Sequence, residues 1–301
     1  MSHRRKRRGA LAAAAALACL AAPFALPGAA VPAPGPAPAK VVVDDAEPGA
    51  ISDAIAAVAP GGKVRIRRGR YRESLLIEKP VRLIATGKGR PTIDGVCRFP
   101  STVTIHSGGV VLKGLEVKGA GTFAAVDYSG VPSGSAKDLR VRNTCDAEYG
   151  INVFATGAVQ VTDNRATGFT DAGIYVGGIA STPNGTLFVG DNETSGNNKG
   201  IIVEFSGGGD IAVFSNEIHD NSIPGVGEQV GLFVFDSDGV RIQSNRISGN
   251  GQAGLVLTPG ADNNAVNDNQ ITGNPVDVRN EGVGNCGSGN TFTTGGPLGP
   301  C

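Results

Sequence analysis

Tryptophan is absent from this chain of 301 residues, methionine occurs once and histidine three times. Aromatic residues make up only 5%. So few bulky side chains argue against a helical bundle, whose core needs them. No CxxC pair and no Cys/His spacing of zinc type is present. Beyond Ala30 no apolar run approaches the ~18 residues that span a bilayer. What the chain has instead is glycine, 46 residues of it, which points to many tight turns.

The formal charge of zero hides an asymmetry. The first thirty residues, "MSHRRKRRGALAAAAALACLAAPFALPGAA", carry Arg4, Arg5, Lys6, Arg7 and Arg8 ahead of an Ala/Leu run, with small residues near Ala30. This is the grammar of a secretory signal over residues 1–30. Two variants of that reading stay open: a lipoprotein site at Cys19 and a twin-arginine signal at Arg7-Arg8. "VPAPGPAPAK" follows as an extended spacer, 31–40. Removing the five leader cations from the 27 leaves 22 against 27 acidic residues, a mildly acidic chain unsuited to nucleic acid. Four cysteines remain, an even number that in an exported protein points to two disulfides. Cys97 and Cys145 flank early segments, and Cys286 and Cys301 bracket the tail, so Cys97–Cys145 and Cys286–Cys301 are the expected pairs.

A phrase repeats. "GIYV", "GIIV", "GLFV" and "GLVL" each precede a second Val/Ile-rich run that ends in Asn. The opening glycines Gly150, Gly173, Gly200, Gly231 and Gly254 span 104 residues in four steps, a mean of 26. The closing asparagines, read as Asn143, Asn164, Asn192, Asn216, Asn245 and Asn269, span 126 residues in five steps, a mean near 25. Two markers with one period define a true repeat. Each repeat holds three short strand-like runs, too broken by Gly, Asn and Asp for helices. Three strands and their turns make one coil of a solenoid. Leucine-rich repeats lack their L-x-x-L-x-L spacing here, and propeller blades need longer periods.

This pattern, over roughly Lys40 to Asn290, resembles the right-handed parallel β-helix of the pectate-lyase-like superfamily. "PGAISDAIAAVAPGGKVRIRRGRYRESLLIEKP" is similar to the opening of its extracellular members: a capping helix around Ser52 to Ala59, a G-x-Y-x-E phrase, then the first coils. The expected architecture is all-β: one β-helix domain over 41–301 with a tail at 286–301. Residues one and three after each Gly, such as Ile201 and Val203, should point inward and stack. The Asn positions should hold tight turns, with Asn221 outside the stack and less costly to replace than Asn216.

The repeat also places residues on the outside of one sheet. Two positions before the Gly come Glu148, Asp171 and Asn198; one before come Tyr149 and Lys199. Two after come Asn152, Tyr175, Ile202, Phe233 and Val256, read as solvent-facing. Glu204 lies further along the same strand. The resemblance implies a substrate groove on such a face, beside turns lengthened by the insertions 177–186 and 221–230. Glu148 and Asp171 are candidates for an acid/nucleophile pair or for Ca²⁺ ligands. Tyr175 and Lys199 are candidate proton carriers for elimination or epimerisation at a sugar. Tyr149, Asn152, Asn198, Glu204 and Phe233 are candidate substrate contacts. Beyond the possible Ca²⁺, no cofactor is called for. His106 and His219 read as surface residues. No DPHE-like epimerase motif, NTD…DD…H-G hydrolase series or lyase arginine motif is present. The expected function is an exported monomer, secreted or in the cell envelope, that binds extracellular polysaccharide along this face and cleaves or epimerises it. The alternative is a non-catalytic envelope or adhesion rod, to which an exposed apolar stripe of Ile202, Phe233 and Val256 would contribute a docking surface.

Overall fold

The computed structural model describes residues 36–179, 186–207, 210–296 and 298–301. The leader at 1–30, with Cys19, and most of the spacer lie outside the described residues, as does 180–185 of the first insertion. From Pro36 to Cys301 the chain forms one compact unit. It winds through three parallel sheets of 10, 9 and 9 strands, here I, II and III. A typical coil visits Ala158–Thr162 in sheet I, Arg165–Thr167 in sheet II and Ala172–Gly177 in sheet III. The next coil pairs in register with it at all three, as at Val161↔Val189, Ala166↔Thr194 and Ile174↔Ile201. This is the right-handed parallel β-helix.

Corners are made by single residues in the left-handed region, each followed by a residue that turns inward. Between sheets I and II these are Gly114, Asp138, Asp163, Asp191, Ser215, Ser244 and Asp268; between II and III they include Gly168, Gly196, Asp220, Gly249 and Gly273. Gly and Asp tolerate that conformation well, which explains their abundance at these corners. The Gly that opens each sheet III strand has a different reason. A Cβ on Gly200 would lie 2.6 Å from the carbonyl of Gly231 and 2.4 Å from Ile218. The coils touch there, so no side chain fits.

The interior is apolar. Ile174, Val176, Ile201, Val203, Leu232, Val234, Leu255 and Leu257 are all fully buried, as the phrase predicted. Coil-to-coil stacking of such rows continues the hydrophobic core along the whole solenoid.

Asparagine ladders bind the corners. Asn216 Oδ1 accepts from Asn192 N (3.0 Å) and Nδ2 (2.9 Å), while its own Nδ2 donates to Val189 O and Asn245 Oδ1, both at 2.9 Å. This ladder runs from Asn164 through Asn192, Asn216, Asn245 and Asn269 to Asn290. Asn143 is not in it: Leu139 holds the equivalent place and donates its N–H to Asn164 Oδ1. Asn143 instead sits beside the next corner, bonding Ala147 O and Gly168 O. Asn221, expected outside any stack, belongs to a second ladder between sheets II and III: Asn197, Asn221, Asn250 and Asn274. The period located one asparagine per repeat, but the four coils that hold Asn192, Asn216, Asn245 and Asn269 spend two each.

Both ends are closed. The helix Ala50–Ala57 buries Ile51, Ala54 and Ile55 over the first coil. Glu73, the acid of the G-x-Y-x-E phrase, accepts from Ile51 N, Ser52 N and Ser52 Oγ, so it neutralises the helix N-terminus. At the other end the tail makes single bridges to each sheet, at Ala265↔Cys286, Gln270↔Thr291 and Val278↔Gly295. Phe292 and Leu298 pack against the core. Both expected disulfides, Cys97–Cys145 and Cys286–Cys301, are present.

Candidate functional site

The outer face of sheet III carries a row that runs Leu76, Thr104, Asp127, Asn152, Tyr175, Ile202, Phe233, Val256 and Arg279, one residue per coil. Its two halves differ. In the C-terminal half the expected solvent-facing stripe is covered: Ile202 is 3% exposed, Val256 0% and Phe233 half-buried. These side chains pack on Ala172, Tyr175, Val230, Ala253 and Val276 in small outer clusters. The exposed apolar stripe therefore does not exist, and with it goes its support for a docking rod.

The insertion after Asn221 helps to cover this half. Val226 N donates to Thr170 O (3.1 Å), and Asn198 Nδ2 donates to Ile223 O (3.0 Å). The insertion thereby becomes a strap. Beneath it Lys199 is 5% exposed and donates to Asp171 Oδ1 (2.8 Å), Asn198 Oδ1 (2.9 Å) and Val226 O. Lys199 was expected on an open surface. It is instead half of a buried ion pair, because the strap supplies the walls. Asn198 is likewise buried and spent on the strap.

Asp171 is thus committed to Lys199. That leaves it poorly placed to join Glu148 as a Ca²⁺ ligand, since Ca²⁺ takes about 6–8 oxygens. No group of three or more His, Cys, Asp or Glu suited to a metal occurs among the described residues. Burial first, and the Asp171 charge second, push the Glu148 carboxyl above its ordinary range. The Tyr149 and Tyr175 hydroxyls are pushed up by burial, and further by Asp171 and by Glu204 respectively, so both stay protonated at neutral pH. Tyr175 is only 8% exposed.

The N-terminal half is open. A cavity of about 440 Å³ is lined by Leu76, Phe99, Pro100, Thr104, Phe123 and Asp127. A second of about 270 Å³ adjoins it, lined by Phe123, Ser129, Tyr149, Asn152, Phe154 and Tyr175. Phe123 borders both. Its ring meets Tyr149 edge-on at 5.6 Å, and Tyr149 meets Tyr175 at 4.7 Å, an aromatic wall three coils long. Phe99 and Phe154 stand exposed on the rims. The floor is polar: Asn152 Nδ2 donates to Asp127 Oδ1 (2.8 Å), as does Ser129 Oγ (2.6 Å). Ser74 Oγ, buried beside the larger cavity, finds no hydrogen-bond partner.

The structure therefore brings Tyr149, Asn152 and Tyr175 together with residues the repeat did not flag: Ser74, Phe99, Phe123, Asp127, Ser129 and Phe154. The reason is local. The strand Ala124–Ser129 pairs with Tyr149–Phe154 so that Ala125 falls where Gly150 would be, and a search keyed on Gly starts one coil too late. The three-residue spacing of Ala124, Asp127 and the inward Val126 in "AAVDYS" was the signal available. Phe233 and Glu204 lie outside both cavities. His106 is exposed, and His219 sits on sheet II against Asp220 (2.8 Å) and Glu193 (3.5 Å).

Fold and face together define a pectate-lyase-like right-handed β-helix with an aromatic groove on one sheet. Within that class, residues 90–299 match the family described as "Periplasmic copper-binding protein (NosD)", and the chain belongs to it. Nothing among curated proteins matches. Of solved structures, the pectate lyase Pel9A is similar at 15% identity and TM-score 0.58, covering 82% of this chain and 72% of its own. A mannuronan C-5 epimerase A-module from Azotobacter vinelandii is similar at 16% identity and TM-score 0.46, over 83% of this chain and 92% of its own. The catalytic unit of an α-1,3-glucanase from Streptomyces thermodiastaticus is similar at 19% and 0.49, over 87% and 68%.

The family description names copper. Protein copper sites are built from imidazole, thiolate and thioether. The described residues offer His106 just after a sheet III strand and His219 on sheet II, four cysteines paired in disulfides, and no methionine. These residues do not fit copper, and no chemistry is assigned to it.

Proposed function

We propose that this protein is exported and binds extracellular or periplasmic polysaccharide as a monomer, with sugar rings stacked along the open half of sheet III. The observation that supports this most is the pair of adjoining cavities that share Phe123: aromatic walls above a polar floor match a sugar's apolar ring face and its ring of hydroxyls. Asp127 places a carboxylate in the floor of this half, which favours neutral sugars over uronates. The leader, the two disulfides and the family description support the location. Within residues 41–301 the β-helix acts as one domain.

A second reading, cleavage or epimerisation, has Glu148 in its favour, because a carboxyl raised by burial is suited to general-acid work. Lys199 is not a proton carrier in either reading, being held in its ion pair. A glycan array followed by product analysis tests both. Phe154→Ala removes an exposed ring and should weaken binding by about tenfold while leaving the melting temperature unchanged. Binding that ignores Phe154→Ala overturns the groove. New reducing ends or unsaturated sugars that vanish in Glu148→Gln would establish catalysis.

A further inference from the structure

The outside of sheet II carries a second feature, independent of the groove. Two cavities adjoin at the corner of sheets I and II. One, of about 440 Å³, is walled by Arg90, Lys113, Asp138 and Arg140 over the small residues Gly89 and Gly114. The other, of about 380 Å³, is lined by Glu116, Arg140, Arg142, Arg165 and Thr167. Arg140 borders both.

The register explains the concentration of charge. Glu116, Arg140 and Arg165 occupy one row on consecutive coils, and Lys118, Arg142 and Thr167 the next. The carboxylates here are already matched. Glu116 pairs with Arg142, Asp138 with Arg90 (2.7 Å) and Glu193 with Arg165 (2.9 Å). Arg90 also donates to the carbonyls of Leu115 and Asp138, so it staples three coils and fixes one wall. Lys113 and Arg140 are left exposed, with no carboxylate partner among the described residues. Two free cations flanked by three fully paired arginines form a positive strip on an otherwise acidic protein.

We propose that this strip is a binding site for a polyanionic glycan, carboxylated or sulfated, laid across the coils. A guanidinium offers parallel donors that match the forked oxygens of a carboxylate or sulfate. Coils about 4.8 Å apart let successive anionic groups meet Lys113 and Arg140 in turn. The contiguous cavities favour a chain over an isolated ion. Net negative charge elsewhere on the protein disfavours a duplex nucleic acid, whose field is far denser.

Affinity electrophoresis of the full exported protein tests this with four probes: polygalacturonate, dextran sulfate, neutral dextran and duplex DNA, at low and raised salt. Wild type should be retarded by one or both polyanions, in a salt-dependent manner. The two polyanion arms distinguish carboxylate from sulfate. Replacing both cations, Lys113→Ala with Arg140→Ala, should weaken that retardation by about tenfold or more. Phe154→Ala should leave it unchanged. Both changed cations are exposed, so the double variant should melt like wild type. Three results would overturn the proposal: no retardation by either polyanion, retention of binding in the double variant, or loss of it in Phe154→Ala. Equal, strip-dependent retardation by DNA would overturn the glycan assignment.

Discussion

At the scale of the residue, the asparagine side chain is the unit of cohesion. Asn216 and Asn221 each make four ladder bonds: Asn221 Oδ1 accepts from Asn197 N and Nδ2, and its Nδ2 donates to Thr194 O and Asn250 Oδ1. Both are buried at 1% or less. Alanine at either place strands several buried backbone and amide groups, each costly without a partner. Asn216→Ala and Asn221→Ala should therefore destabilise alike, by about 1–3 kcal/mol each. Urea unfolding of the two single variants checks this, and a much smaller effect at Asn221 would contradict the second ladder. The two substitutions should be additive, because the ladders run along different corners and share no bond.

At the scale of the element, the strap at 222–229 decides what the sheet III face becomes. The inward rows were legible from the Gly-apolar-x-apolar phrase, because burial of alternate residues is a local property of a strand. The outer face was not, because its exposure depends on a segment that carries no repeat. Hence the phrase reads Ile201 and Val203 as inward, as they are, whereas it reads Lys199, Ile202 and Val256 as surface and the fold buries them. The groove residues Phe123 and Asp127 were missed for the complementary reason: their coil has Ala125 in place of the marker glycine. The strap also makes Lys199 structural. Lys199→Ala would leave Asp171 buried without its counter-ion, at a cost of about 3–5 kcal/mol. Replacing both members, Lys199→Met with Asp171→Asn, should recover much of that loss, since removing a buried pair together is often nearly neutral. Thermal unfolding of the single and double variants measures it. A single variant as stable as wild type would mean that the pair contributes nothing.

At the scale of the whole molecule, a β-helix survives as a single particle because its open sheet edges are covered. The C-terminal cover depends on one carboxylate. Asp277 is fully buried; its Oδ2 accepts from Thr293 N (2.9 Å), Thr293 Oγ1 (2.8 Å) and Thr294 N (3.2 Å), and its Oδ1 from Asn274. It thereby ends the second asparagine ladder and anchors the tail in one step. Burial alone would raise its pKa, but the Thr293 and Asn274 donors outweigh burial and hold it at about 2. A carboxylate depressed in the folded state contributes stability that is complete above its unfolded value, about 3.9, and is lost as pH falls through the folded one. The contribution is about 2–3 kcal/mol. Between roughly pH 4 and pH 2 the tail should therefore loosen from sheets II and III, with Cys286–Cys301 still closed. Hydrogen exchange of residues 286–296 should rise over that window, ahead of exchange in the central coils. Asp277→Asn turns an amide toward the Thr293 and Thr294 donors, so its tail should exchange fast already at neutral pH and show no acid step. With the tail loose, the last strands of sheets II and III present unpaired backbone, and the variant should associate edge to edge in a concentration-dependent way. Equal protection of the tail in both proteins from neutral pH down to pH 2 would remove Asp277 from this role.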